Sequence, residues 1–292
     1  MVRVDEWLSV SDEVTRISEL VAERILSLTQ SKKPTHIGAI NSIPFNEGNF
    51  KIQTESPIGE MTVCYQMYYC VNESDYNSLN DYGALNCGAD NDFNTILIHS
   101  AYVNNEPSND FVESISHEVN HLFQYSNGMV KNEDLYDNVL KVLNRYAIND
   151  LSKFTALLVY YTFKHEVDSF ATQFYHHLKQ TGKGNIGFDE LAKEYQYYVN
   201  LHYMYDTVMQ NLKDPLVNAT INKLGLTKKQ WKHRVYSGVK RFDDKLRNVY
   251  RRYCMENMRS TTVEGIISRQ AYLGKRYQLL EETIEPIYNI CE

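Results

Sequence analysis

Apolar residues in SDEVTRISELVAERILSLTQ, residues 11 to 30, recur at every third or fourth position: Val14, Ile17, Val21, Ile25 and Leu28. With an acidic first turn ahead of them, that spacing predicts an amphipathic helix. The period then shortens. THIGAINSI near 35, FKIQT near 50 and EMTVCYQMYYCV from 60 are rich in β-formers, and Met61, Val63, Tyr65, Met67 and Tyr69 alternate with smaller or polar residues. Period two predicts strands. NESDYNSLNDYGALNCGADND, 72 to 92, is dense in Asn, Asp, Ser and Gly without any period, and predicts a long loop.

TILIHSAYV, 95 to 103, predicts one more strand, and NNEPSND then supplies Ser108 or Asn109 as a cap for a helix over 109 to 126. The remainder has helical spacing near 134 to 149, 154 to 180, 188 to 210, 226 to 256 and 262 to 284, with breaks at TGKGNIG (181 to 187) and Asp214-Pro215. The order predicts an α+β fold. Its N-terminal lobe, 1 to 128, holds a small mixed or antiparallel sheet and ends in the 109 to 126 helix. A helical lobe follows over 129 to 210, and a basic helical region over 211 to 292.

Composition changes this picture little. A chain of 292 residues with 43% hydrophobic residues can bury a sizeable core. Five cysteines, odd in number and without a C-x-x-C pair, argue against a disulfide framework or a zinc ribbon. The N-terminal stretch is acidic where a signal peptide needs an apolar run, and the longest apolar run, TALLVYYTF at 155 to 163, is about half a membrane span. The expectation is a cytoplasmic chain without membrane contact.

Charge is unevenly shared. The net charge is −7, yet residues 211 to 292 hold 16 Lys+Arg against 9 Asp+Glu, and 222 to 278 hold 15 against 4. Trp231, Val235, Phe242, Leu246, Val249 and Tyr253 form an apolar stripe there, leaving the cations on other faces. Such a surface can meet nucleic acid or an acidic partner. The favoured expectation is a solvated face, or one that complements the acidic front half of the same chain, because the whole chain is negative.

ESISHEVNHLFQY, 113 to 125, places His117, Glu118 and His121 in the order H-E-x-x-H. With 9 histidines and 21 glutamates in 292 residues, about 0.02 random matches are expected per chain. On a helix the two histidines are about 40° apart and one turn along, so their rings emerge side by side. Phe111, Ile115, Val119, Leu122 and Phe123 fall on the opposite side, so the helix can anchor its back in a core. Two imidazoles suit a metal, and Glu118, about 100° round from His117, can reach a water rather than the metal.

Two ligands do not hold a catalytic zinc, so a third must come from elsewhere. FKHEVDSFATQFYHHL, 163 to 178, has Phe163, Val167, Phe170, Ala171, Phe174 and Leu178 on one face. Glu166 lies at the border of that face and is the first choice; Asp168 lies farther round and is second, and His165, almost opposite, is third.

At these residues the chain resembles the zincin metallopeptidases and, within them, the gluzincins, whose third ligand is a glutamate on a later helix. The resemblance rests on His117-Glu118-Val119-Asn120-His121 and Glu166-Val167-Asp168-Ser169, with a strand before the first helix. It implies one Zn2+ per chain on His117, His121 and Glu166, with Glu118 polarising water. It also implies a peptide or protein substrate, paired in extended form with TILIHSAYV as an edge strand. The gluzincin pattern puts a short acidic or amide residue where Phe170 stands, which leaves Asp168 as the candidate to orient a ligand histidine. No H-E-x-x-H-x-x-G-x-x-H run is present, so the metzincin branch is excluded.

The reaction implied is peptide-bond hydrolysis with Glu118 as general base. A donor to the developing oxyanion is also needed, and Tyr195, Tyr198, His202, Tyr203 and Tyr205 in KEYQYYVNLHYMYD are candidates. The alternative is a non-catalytic zincin-fold protein that serves binding or assembly through its basic helices.

Overall fold

A computed structural model describes residues 4–30, 44–55, 58–81, 85–90, 92–127, 134–147, 149–182 and 186–259. The expected strand near 35 and the expected helix over 262–284 lie outside them. The N-terminal helix α1 (Val4–Gln30) is followed by β1 (Asn46–Gln53) and β2 (Glu60–Cys70), which pair antiparallel from Asn46↔Met67 to Gln53↔Glu60. Next come α2 (Glu73–Asp81), β3 (Cys87–Asp90), β4 (Thr95–Val103) and the short β5 (Glu106–Pro107). The sheet order is β1-β2-β4-β3, with β5 on β4. Because β2 and β4 are parallel and the other pairs antiparallel, the sheet is mixed.

Two expectations fail in this half. The segment 72–92 is not a long loop, since it holds α2 and β3. Nor is TILIHSAYV an edge strand: β2 runs along one side of β4, while Cys87–Asp90 covers Thr95–Ile98 on the other and β5 covers Tyr102–Val103. The backbone that a peptide would pair with is therefore largely taken by the chain itself.

The period-two pattern of β2 buries Met61, Val63, Tyr65 and Met67 on one sheet face. They pack with Val14, Ile17, Val21 and Ile25 of α1 and with Ile115, Val119 and Leu122 of α3 (Phe111–Ser126). Thr29 Oγ1 lies 2.9 Å from the Tyr102 hydroxyl, tying the end of α1 to the sheet.

Among the described residues, the elements after α3 are all helices: α4 (Asp134–Arg145), α5 (Asp150–Tyr160), α6 (Lys164–Thr181), α7 (Phe188–Leu191), α8 (Gln196–Gln210), α9 (Pro215–Lys223) and α10 (Lys228–Arg259). A second apolar core runs from Tyr136 to Tyr253 and crosses residue 210 without a break; fully buried Trp231 anchors it and donates from Nε1 to Thr155 O at 3.2 Å. Helix α6 is sandwiched between α3, which belongs to the first core, and α10. Three cations of α10 meet carboxylates of the same chain, Lys245–Asp168, Arg247–Asp189 and Arg252–Asp12, each at 2.7 Å. Among the described residues no helix is long and apolar enough to cross a membrane.

The spacing over 154 to 180 predicts one helix, and two are found. The chain turns at residues 161–163, where Phe163 is extended (φ −67°, ψ 138°) ahead of α6. Helix α10 locks that turn. A Cβ on Gly238 would meet Thr162 Cγ2 at 2.2 Å, so only glycine allows this approach. Arg234 Nε donates to Thr162 Oγ1 at 2.9 Å and Arg241 Nη1 to Thr162 O at 3.3 Å. The turn places Glu166 in the first turn of α6, where the helix dipole favours a carboxylate. The 188 to 210 segment is likewise split, into α7 and α8.

Candidate metal centre

The cap residue Asp110 and Ser114, His117, His121 and Gln124 of α3 follow one another at intervals of four, three, four and three residues, which puts them along one side of the helix. Glu166, Ser169, Phe170 and Gln173 make the matching stripe of α6. The helices run antiparallel, so that Ser169 Oγ is 3.2 Å from His121 Nδ1 while, farther along, His177 Nδ1 is 2.8 Å from Glu113 Oε1. The polar stripe of α3 is thus not a solvent face. His117 is 8% exposed, His121 6%, Glu118 9% and Glu166 0%.

Three ligand atoms converge at this seam. His117 Nε2 and His121 Nε2 are 3.1 Å apart, and Glu166 Oε2 is 3.5 Å from each. Ligands held about 2.0–2.1 Å from a tetrahedral ion lie roughly 3.3–3.4 Å from one another, so the spacing fits one small cation. Burial without a partner ordinarily costs a carboxylate oxygen dearly, yet Glu166 Oε2 has no hydrogen-bond partner. His117, His121 and Glu166 form a buried group that could hold a metal ion.

Neighbouring side chains fix how these atoms point. Gln124 Nε2 donates to His165 O at 3.0 Å, which turns its Oε1 to His121 Nδ1 at 3.1 Å. The acceptor assigns the proton to Nδ1 and leaves the Nε2 lone pair facing Glu166. Asn120 Nδ2 donates to Ser169 Oγ at 3.0 Å, fixing the hydroxyl that also meets His121. On Glu166, Oε1 accepts from the Tyr136 hydroxyl at 3.0 Å. Phe170 and His117 pack edge to face, with ring centroids 4.6 Å apart. His117 Nδ1 has no hydrogen-bond partner.

Burial pulls the His121 imidazole down more than any other single influence, but Glu166, Gln124 and Glu118 together outweigh it and hold His121 above its ordinary value. Burial likewise pushes Glu166 up, yet His121, His117 and His165 outweigh it and hold the carboxyl well below the usual range.

A cavity of about 230 Å3 opens beside the triad. His117 and Glu118 form one wall, Phe170, Gln173 and Tyr197 another, and Leu85 to Cys87 border it from the segment once expected to be a loop. Glu118 therefore stands beside the triad with open space before it.

The other expected residues fall elsewhere. Asp168 binds Lys245 and takes no part in orienting a histidine; Gln124 and Ser169 fill that role. His165 lies close by, its Nε2 3.4 Å from Glu166 Oε1, but outside the converging trio. None of the five oxyanion candidates lines the cavity. Tyr195 is buried and donates to Phe170 O at 3.1 Å; Tyr198 lies against His202, which pairs with Asp243 at 3.0 Å. Tyr203 is exposed and packs on Phe154, and Tyr205 lies on the helical core. Tyr197, not among the five, borders the cavity instead. It precedes buried Leu201 by one helical turn, so the apolar spacing of Leu201, Met204 and Val208, carried back one turn, points to it. Comparison with protein-family models, with curated proteins and with solved structures finds no match to this chain.

Proposed function

We propose that the protein is a zinc-dependent metallopeptidase of the gluzincin type. The observation that carries this reading is Glu118, set next to the buried His117–His121–Glu166 group and facing an open cavity. A structural metal site has no need of a carboxylate at that place. The donor set, two imidazoles and one carboxylate, is that of catalytic zinc with one position left for water or substrate.

A zinc ion held there supplies a Lewis acid and an acidified water. Glu118 accepts the proton of the attacking water and delivers it to the leaving amine, as a general base and then a general acid. Tyr197, which lines the cavity, is the residue to which we assign donation to the developing oxyanion. Because β3 and β5 cover β4, the substrate is gripped chiefly by side-chain pockets rather than by pairing along that strand.

The test is metal content measured beside digestion of a broad peptide library. Wild type is expected to bind one zinc and cleave. Glu118→Gln is expected to keep the metal and lose turnover, and His121→Ala to lose both. Full activity in Glu118→Gln, or a zinc-loaded wild type that cuts nothing, overturns the reading in favour of a binding or assembly protein.

A further inference from the structure

The cavity beside Glu118 is lined by carboxylates and, among the described residues, by no lysine or arginine. Asp110 is the residue ahead of α3, where an aspartate ordinarily accepts from the first turn of its own helix. Here it makes no such bond. It turns instead to Tyr76, whose single hydroxyl lies 2.9 Å from each of its oxygens. One proton cannot satisfy the roughly four lone-pair sites of a carboxylate, so Asp110 keeps acceptor capacity at the cavity wall.

Gln173, on the α6 side, is 1% exposed and its Oε1 has no partner. The acids bordering the space register its negative potential. Burial first, then Glu118 and Asp110, push the Cys87 thiol up, and burial then Asp110 push the Tyr76 phenol up. Tyr197 is pushed up to about 12 by burial, with Asp110 and Glu113 adding to it. Two carboxylates, an unpartnered amide oxygen and no lysine or arginine in the lining match a cationic donor group. The volume, about 230 Å3, is below the roughly 300 Å3 at which pockets for whole small molecules begin. It suits a single extended side chain.

We propose that the part of this cavity at Asp110 is a specificity subsite that receives a lysine or arginine side chain of the peptide substrate, held by Asp110 with Gln173 beside it. The proposal rests on the peptidase reading above. A substrate's N-terminal ammonium has the same chemistry, and the test separates the two sources.

The zinc-loaded full chain is given one peptide library with acetylated N-termini and the same library with free ones, and the cut sites are read by mass spectrometry. Lysine and arginine are expected to be enriched at one fixed position beside the cut in both libraries. The ratio of kcat/KM for Lys or Arg to that for Leu or Met at that position is expected to fall about 10-fold or more in Asp110→Asn and to be retained in Asp110→Glu. Cleavage only beside free N-termini overturns the side-chain assignment. Cuts without basic preference, or a preference indifferent to Asp110→Asn, overturn the subsite and leave the peptidase reading standing. If nothing is cut, the peptidase reading falls, and calorimetry with agmatine decides the cavity alone. Binding weakened by Asp110→Asn supports a cationic site, and binding that is absent or unchanged overturns it.

Discussion

Glu166 Oε2 approaches His121 Nε2 to 3.5 Å across the seam between α6 and α3. The carboxylate comes from the helical core and the imidazole from the core under the sheet. Removing Glu166 takes away one of the three residues that, among the described residues, form the group able to hold a metal ion. Glu166→Ala is expected to lower metal affinity by more than about 100-fold, beyond the 10–100-fold that loss of an outer partner costs. Metal stoichiometry after equilibrium dialysis checks this, and retention of one ion per chain would remove Glu166 from the site.

Gln124 and Ser169 act on the metal only through His121. Gln124→Leu and Ser169→Ala are each expected to weaken metal binding by about 10–100-fold without abolishing it. Competition with a chelator of known affinity measures the loss. Asp168→Asn, at the Lys245 pair, is expected to leave metal affinity unchanged.

Tyr197 and Tyr195 are two residues apart and are expected to respond differently. Tyr197→Phe removes a hydroxyl at the cavity wall and is expected to lower kcat by about 100-fold, with metal content intact. Tyr195→Phe breaks a buried bond to Phe170 O and is expected to cost about 1–3 kcal/mol of stability. Steady-state kinetics and denaturant unfolding on both variants check the contrast.

Gly238→Ala drives a Cβ to 2.2 Å from Thr162 Cγ2, and because it also comes to 2.6 Å from Cβ and 3.0 Å from the backbone Cα, rotating the side chain does not relieve it. A destabilisation of about 1–3 kcal/mol is expected. Because Thr162 belongs to the turn that starts α6, metal affinity is expected to fall with it. Thermal melts with and without zinc read both effects.

His176, on α6, is buried and its Nε2 has no partner. Burial first, then Lys179, pull its imidazole down to about 4, while Glu19 partly opposes them. The folded value lies below the unfolded value near 6.5, so on acidification the unfolded chain takes up this proton first. The contribution of His176 is therefore full above about 6.5 and lost as pH falls toward about 4, at up to about 1.4 kcal/mol per pH unit. His176→Leu is expected to flatten the stability profile in that window, as urea unfolding at a series of pH values will show.

The parts of the site that share one helix face were legible. The H-E-x-x-H spacing singled out His117 and His121, which stand opposite a clear apolar stripe, and helix rotation put Glu166 at the border of another. The turn at 161–163 was not legible, because TALLVYYTF contains no glycine or proline and keeps a helical period. What bends it is Gly238, far downstream, together with Arg234 and Arg241. In the same way β3 is a strand because β4 offers it an edge, and α2 packs through little more than Tyr76 and Leu79. Tertiary partners outweighed local propensity there.

The clamp on Thr162 also sets a time. A chain emerging from the ribosome carries His117 and His121 long before Arg234, Gly238 and Arg241 exist to hold the turn that presents Glu166. At roughly 5–20 residues per second, the two histidines precede by several seconds the residues that fix Glu166 opposite them. A fragment ending before residue 234 carries His117, His121 and Glu166 but lacks the contacts on Thr162 that fix the start of α6, and is expected to hold a metal ion more weakly than the full chain.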